Sequence, residues 1–141
     1  MGKLLQRLSD ASRSGVYRAA RVDDVLEAAS GGTLRVARLA LEGVATKEAL
    51  LQRIARALEF PAWFGGNWDA LEDCLADLSW LEADGYVLLV EGAAGLPADE
   101  RGVLEDILAS SAAYWAERKR PFFAVFVGGG PQLPELYRQR T

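Results

Sequence analysis

The chain has 141 residues, a formal net charge of −4 and no histidine; half of its residues are hydrophobic and about a quarter are charged. That is the composition and length of one globular domain, able to bury roughly 70% of the surface its unfolded chain exposes. With no histidine and Cys74 as the single cysteine, the commonest general acid-base, the imidazole and thiolate sites of zinc, and any internal disulfide are excluded.

The first stretch, residues 1–32, is expected to be an N-terminal extension with an added strand and helix. Lys3, Gln6 and Arg7 interrupt Leu4, Leu5 and Leu8, so it lacks the apolar run of a signal peptide. Val16 to Ala20 reads as a short strand, and Val22, Val25, Leu26 and Ala29 have helical spacing before Gly31 and Gly32. Thr33 to Leu41 is a strand in which Arg35 and Arg38 break the alternation, as at an edge or a bulge. Thr46 is placed to cap a helix with the apolar stripe Leu50, Leu51, Ile54 and Leu58, ending before Pro61. Phe60 to Gly66 is an aromatic loop, and Asn67 caps a second helix running to about Trp80. Tyr86 to Val90 is a continuous apolar run, as in a strand covered on both faces. Asp99 is placed to cap a long helix with the stripe Leu104, Ile107, Leu108, Ser111 and Trp115, and Phe122 to Val127 is another buried strand ended by Gly128 to Pro131. The tail, residues 131–141, is expected to pack loosely beyond Pro134.

Strands separated by helices predict an α/β layer fold with a mainly parallel sheet of at least three strands. The longest apolar runs are too short to span a bilayer. A cytoplasmic protein with no membrane partner and no cofactor, monomeric when free, is expected.

The charge is unevenly distributed. From Ala57 to Glu100 there is no Lys or Arg but there are ten acids, leaving ten acids against sixteen bases elsewhere. A solvated acidic surface is the plainer reading of such a run. The helix after Asn67 says more, because Leu71, Cys74, Leu75 and Leu78 follow the i, i+3, i+4, i+7 pattern while Asp69, Asp73 and Asp77, flanked by Glu72, lie on the other side. The helix dipole favours Asp69; Asp73 and Asp77 repel each other at about 0.2 to 0.5 kcal/mol per i,i+4 pair, with no nearby base to relieve them. A cationic partner would, so this face reads as a docking surface and nucleic acid as the wrong partner. Trp63 is expected to be exposed beside it, whereas Phe64 and Trp68 are equally open to core packing. Gly65 and Gly66 permit a tight turn; a phosphate there would be repelled by Asp69. Cys74 reads as buried filler.

The string Phe60-Pro61, Phe64-Gly65, Asn67, Asp69-Ala70-Leu71 and Asp73-Cys74-Leu75 resembles the signature of the barstar-like family of ribonuclease inhibitors. Roughly Thr33 to Val127 follows that family's element order, and residues 33–130 are taken as the barstar-like domain. The resemblance implies an α/β domain with a parallel sheet, no catalytic activity, and inhibition by inserting the motif loop and second helix into the cleft of a basic, secreted-type ribonuclease. By position, Asp73 would enter the phosphate-binding pocket and Asp69 would be a second charged contact. Trp63 and Phe64 would be aromatic contacts and Asn67 a loop contact. Gly65, Glu72 and Asp77 complete the expected partner-binding set, with no catalytic or metal-binding residue. Glu72 stands where the best-known form has an aromatic residue, and Ser110 falls near the place of a further acidic contact. These departures keep open a second reading, an interaction domain for another basic protein. Asp69 and Asp73 as a hydrolase pair or a Mg²⁺ site is disfavoured because they lie one turn apart on one helix rather than across a cleft.

Overall fold

A computed structural model describes residues 3–30, 32–128 and 132–137. In chain order the elements are α1 (Lys3–Leu8), a 3-10 turn (Ala11–Arg13), β1 (Gly15–Ala19), α2 (Val22–Ala29), β2 (Arg35–Ala40), α3 (Lys47–Ala57), α4 (Trp68–Asp77), β3 (Tyr86–Glu91), a second 3-10 turn (Ala93–Gly95), α5 (Ala98–Glu117) and β4 (Phe122–Val127). The four strands form one all-parallel sheet in the order β1-β4-β3-β2.

β4 is apolar throughout, and β3 is apolar up to its last residue Glu91, because both of their faces are covered. Tyr86, Leu88, Val90, Phe122, Ala124 and Phe126 point into a core with Leu50, Leu51 and Ile54 of α3, Leu71 and Leu75 of α4, and Leu104, Leu108 and Trp115 of α5. Their neighbours Val87, Leu89, Phe123 and Val125 point the other way, against Leu8 of α1, Val25 and Ala29 of α2, and Leu136. α1 and α2, with Leu136, therefore supply the second layer, and β1 supplies an edge strand.

β2 is the other edge, and its register against β3 is continuous from Arg35↔Tyr86 to Ala40↔Glu91, so Arg35 and Arg38 mark an edge and not a bulge. Thr33 lies before the strand, its hydroxyl bonded to the Asp84 carboxylate. α4 stops at Asp77, short of Trp80, because Leu78 adopts a left-handed conformation (φ 50°) that keeps its own side chain in the core. α5 starts at Ala98 after Pro97 (φ −58°), which leaves Asp99 in the first turn and not at the cap. Proline at that point has no N–H to lose and a φ already near the helical value.

The expectation of a loosely packed tail is corrected for residues 132–137. Leu136 is fully buried, and the tail pairs with the free edge of β1: the Arg18 amide donates to the Pro134 carbonyl (2.8 Å) and the Leu136 amide to the Arg18 carbonyl (2.9 Å). An edge strand with unpaired amides gains from such a cover. The expected stops at Gly31 and at 129–131, and the chain end from 138 on, lie outside the described residues. No described helix is long and apolar enough to cross a membrane.

Candidate functional site

The site starts where α3 ends. Glu59 takes a positive φ of 54°, and the Phe60 amide returns to the Ala55 carbonyl at 2.8 Å, which throws residues 60–66 across the end of the helix. A turn closed by the Phe64 amide on the Pro61 carbonyl (3.1 Å) sets the aromatic rings. Phe60 is the inner ring, edge-on to Phe64 at 4.9 Å and to Trp80 at 5.8 Å. Trp63 sits outside, edge-on to Trp80 at 5.8 Å and still 60% exposed. Phe64 and Trp68 are half-buried against the core, so of the three rings Trp63 is the free one. Gly66, at φ 74°, then turns the chain into α4.

Asn67 caps that helix, its side-chain oxygen accepting from the Ala70 amide at 2.7 Å. Its role is thus at least structural, since a cap of this kind contributes about 1 kcal/mol. Leu71, Cys74 and Leu75 are buried on one side of α4, and Asp69, Glu72, Asp73 and Asp77 are all exposed on the other. Burial raises the pKa of the Cys74 thiol, and the charges of Asp77 and Asp73 raise it further, so this sulfur is inert filler.

None of the ion pairs among the described residues includes any of those four carboxylates. Other acids of the same base-free stretch are engaged. Glu59 pairs with Arg35, Glu91 takes both arms of Arg38 (3.0 and 3.1 Å), and Asp84 takes Thr33. Glu82, Asp99 and Glu100 have no described ion pair either, but four of the unpaired acids are gathered on the single face of α4. Near its C-terminus the helix is held by α5: the Trp115 indole donates to the Leu75 carbonyl at 2.7 Å, satisfying a carbonyl that the helix end cannot.

All eight residues singled out from the sequence, Trp63, Phe64, Gly65, Asn67, Asp69, Glu72, Asp73 and Asp77, lie on this loop and helix. Trp80 was missed. It is the platform beneath Trp63, and its indole N–H holds the Leu58 carbonyl at 2.9 Å. The sequence signal for it was only a fifth large aromatic close to the motif. Beside the loop, Phe64, Gly65 and Gly66 border a groove of about 450 Å³ whose far wall is α3, with Glu48, Gln52 and Arg56 on it. Ser110 is exposed on α5. Among the described residues no three acidic or thiol groups converge as a metal would require.

The arrangement offers a rigid anionic face with an aromatic shoulder. A carboxylate held in this way can imitate a phosphate toward Arg and Lys without presenting a bond to cleave. Comparison with known proteins agrees with that chemistry. The family model described as "Barstar (barnase inhibitor)" matches residues 34–127, about two thirds of the chain. No individual curated protein matched. The matched span runs from just before β2 to the end of β4 and includes the whole aromatic loop and acidic helix, and the chain belongs to the barstar family, whose function is inhibition of barnase-type ribonucleases.

Proposed function

We propose that this protein inhibits a basic, barnase-type ribonuclease by plugging its active site with α4 and the loop before it. The observation that carries the proposal is the row Asp69, Asp73 and Asp77, with Glu72 beside it, turned to solvent and paired with no described base. Asp73, at the middle of the row, enters the pocket that holds the RNA phosphate. Asp69 meets a second cation, Trp63 and Phe64 close over the rim, and Gly65 and Asn67 bring the loop backbone close. The protein is a monomeric cytoplasmic binder without catalysis or cofactor, in which residues 33–130 form the inhibitory domain and residues 1–32 buttress it from behind the sheet.

The test is the affinity of Asp73→Ala for a barnase-type ribonuclease. Truncating a charged hot spot costs at least about 2 kcal/mol, a range set in part by complexes of this very family. A loss of less than about tenfold, or 1.4 kcal/mol, overturns the assignment of Asp73. Glu72 favours a second reading. It adds charge at the face's centre, where an aromatic ring would add contact area, and so suits a different basic protein. Native pull-down separates the two, with a ribonuclease in the eluate supporting the first and a ribosomal or regulatory protein the second.

A further inference from the structure

Three cations of the N-terminal segment take no part in the acidic site. Lys3 and Arg7, one turn apart on α1, and Arg13 of the first 3-10 turn line a groove of about 650 Å³ together with Leu4, Asp10 and Tyr137. All of these residues lie outside the span 34–127 that the barstar family accounts for. The groove is also on the other side of the sheet from α4. Leu8 of α1, with Leu4 and Tyr137 packed beside it, belongs to the layer opposite the one that holds Leu71 and Leu75.

None of the ion pairs among the described residues includes Lys3, Arg7 or Arg13. Asp10 is the acid of the lining, and its carboxylate is engaged in capping the 3-10 turn, accepting from the Ser12 amide at 3.0 Å and the Ser12 hydroxyl at 2.6 Å. Asp24, behind Tyr137, is held by the Tyr137 hydroxyl and lies 3.9 Å from Arg21. Three bases against one acid leave the groove positive. That same hydroxyl bond fixes the half-buried Tyr137 ring on the wall beside Leu4. Cations next to a fixed aromatic ring are what a single strand of nucleic acid requires, its phosphates meeting the cations and a base stacking on the ring. An acidic peptide would meet the cations but make no use of the ring. A membrane surface would call for exposed apolar anchors, and the exposed large ones among the described residues, Trp63 and Val103, are on other elements. The carboxylates of α4 do not prevent the approach of an anion here. With the sheet between two helix layers, each adding about 10 Å, roughly 20 Å separates the two surfaces, against a Debye length of about 8 Å at physiological salt.

We propose that this groove binds a short single strand of nucleic acid, with Lys3, Arg7 and Arg13 on its phosphates and one base stacked on Tyr137. The contacts address the phosphate and the face of the base, which RNA and DNA share. Asp10 opposes the strand and limits its affinity. The groove shares no residue with α4 or the aromatic loop, so the proposal is independent of the inhibitor assignment, and strand and ribonuclease would occupy opposite sides of one molecule.

The test is fluorescence anisotropy of a labelled single-stranded tetranucleotide, as RNA and as DNA, titrated with the full chain over a range of salt. Neutralising three phosphates sets the slope of log affinity against log salt at about −2, a loss of about twentyfold between about 50 and 200 mM. Arg7→Gln and Arg13→Gln should each reduce that slope by about 0.7. Tyr137→Leu should weaken binding about fivefold or more, while Tyr137→Phe, which keeps the ring, retains it. Asp10→Asn keeps a capping side chain and should tighten binding on the order of threefold, a gain that a misfolded variant cannot imitate. Saturation by RNA alone makes the occupant RNA, and saturation by both makes it either strand. Ribonuclease inhibition should be the same in Arg7→Gln as in the wild type, and Asp73→Ala should bind the strand as before, so failure of one assignment leaves the other standing. A slope near zero, an unchanged slope and affinity in both Arg7→Gln and Arg13→Gln, or equally tight binding of adenosine monophosphate overturns the proposal. So does a sedimentation coefficient that grows at low salt, because the groove would then be holding the acidic face of a second copy.

Discussion

Asp73→Asn removes one charge from the middle of the acidic row while leaving shape and helix propensity nearly unchanged, since Asp and Asn rank together in helices. Asp73 stands four residues from both Asp69 and Asp77, and all three are exposed on α4 without a described basic partner. Two repulsive i,i+4 pairs therefore disappear, each costing about 0.2 to 0.5 kcal/mol. The substitution should stabilise the free protein by about 0.4 to 1.0 kcal/mol, the opposite sign from most point changes. Urea unfolding reads this as a higher midpoint at unchanged slope, and the gain should shrink in high salt because exposed charges are screened. The same change should weaken ribonuclease binding, so stability and function move in opposite directions. A loss of stability, or a gain indifferent to salt, would refute the reasoning, because it would mean that Asp73 is already satisfied within its own molecule.

Three further outcomes are expected. Trp115→Phe deletes the donor to the Leu75 carbonyl; the unsatisfied group costs about 1 to 3 kcal/mol and a cavity of about 40 Å³ adds about 1 kcal/mol, which urea unfolding should read as a loss of about 2 to 4 kcal/mol. Asn67→Ala should cost about 1 kcal/mol in the same assay through loss of the cap, with Asn67→Gly milder, whereas a pure partner contact would leave stability untouched. The Tyr137 hydroxyl is pushed up to about 12 by burial and by its hydrogen bond to the Asp24 carboxylate. The unfolded tyrosine ionises near its ordinary value of 10.0 while the folded one keeps its proton, so this contribution is complete below about pH 10 and is lost as pH rises through about 12. Alkaline unfolding should accordingly be less steep in Tyr137→Phe than in the wild type, and equal slopes would count against the shift.

The sequence announced those elements whose pattern is set by their own side chains. α4 was legible as two faces because a helical repeat separates Leu71, Cys74 and Leu75 from four carboxylates without an exception. β4 was legible to the residue because six apolar positions in a row need cover on both sides, and the cover exists. The end of α4 was not legible. Leu78 takes a left-handed conformation that local sequence would assign to Gly or Asn, and what holds it there is burial against the core. Trp80 was hidden for a related reason: its indole meets Leu58, twenty-two positions earlier, and the reach of a side chain across the fold leaves no periodicity to read. The tail was misread because the unpaired edge of β1 that recruits it is itself a product of the strand order.

Strand order also explains why the acidic face stays uncompensated. A stretch of 44 residues without a base, from Ala57 to Glu100, can be neutralised only by cations arriving from elsewhere in the chain. The sheet delivers two of them, because β2 pairs with β3 and carries Arg35 and Arg38. Both are engaged within the scaffold: Arg38 by Glu91 at the end of β3, and Arg35 by Glu59 just after α3. Held at the start and near the middle of the edge strand, these two pairs spend the positive charge of β2 in fastening the scaffold. Asp69, Glu72, Asp73 and Asp77 are left facing solvent on a helix fixed by Asn67 near one end and Trp115 near the other. Their charge is then cancelled most favourably by a second molecule, and the rigidity of the helix means that little ordering entropy is spent when that molecule binds.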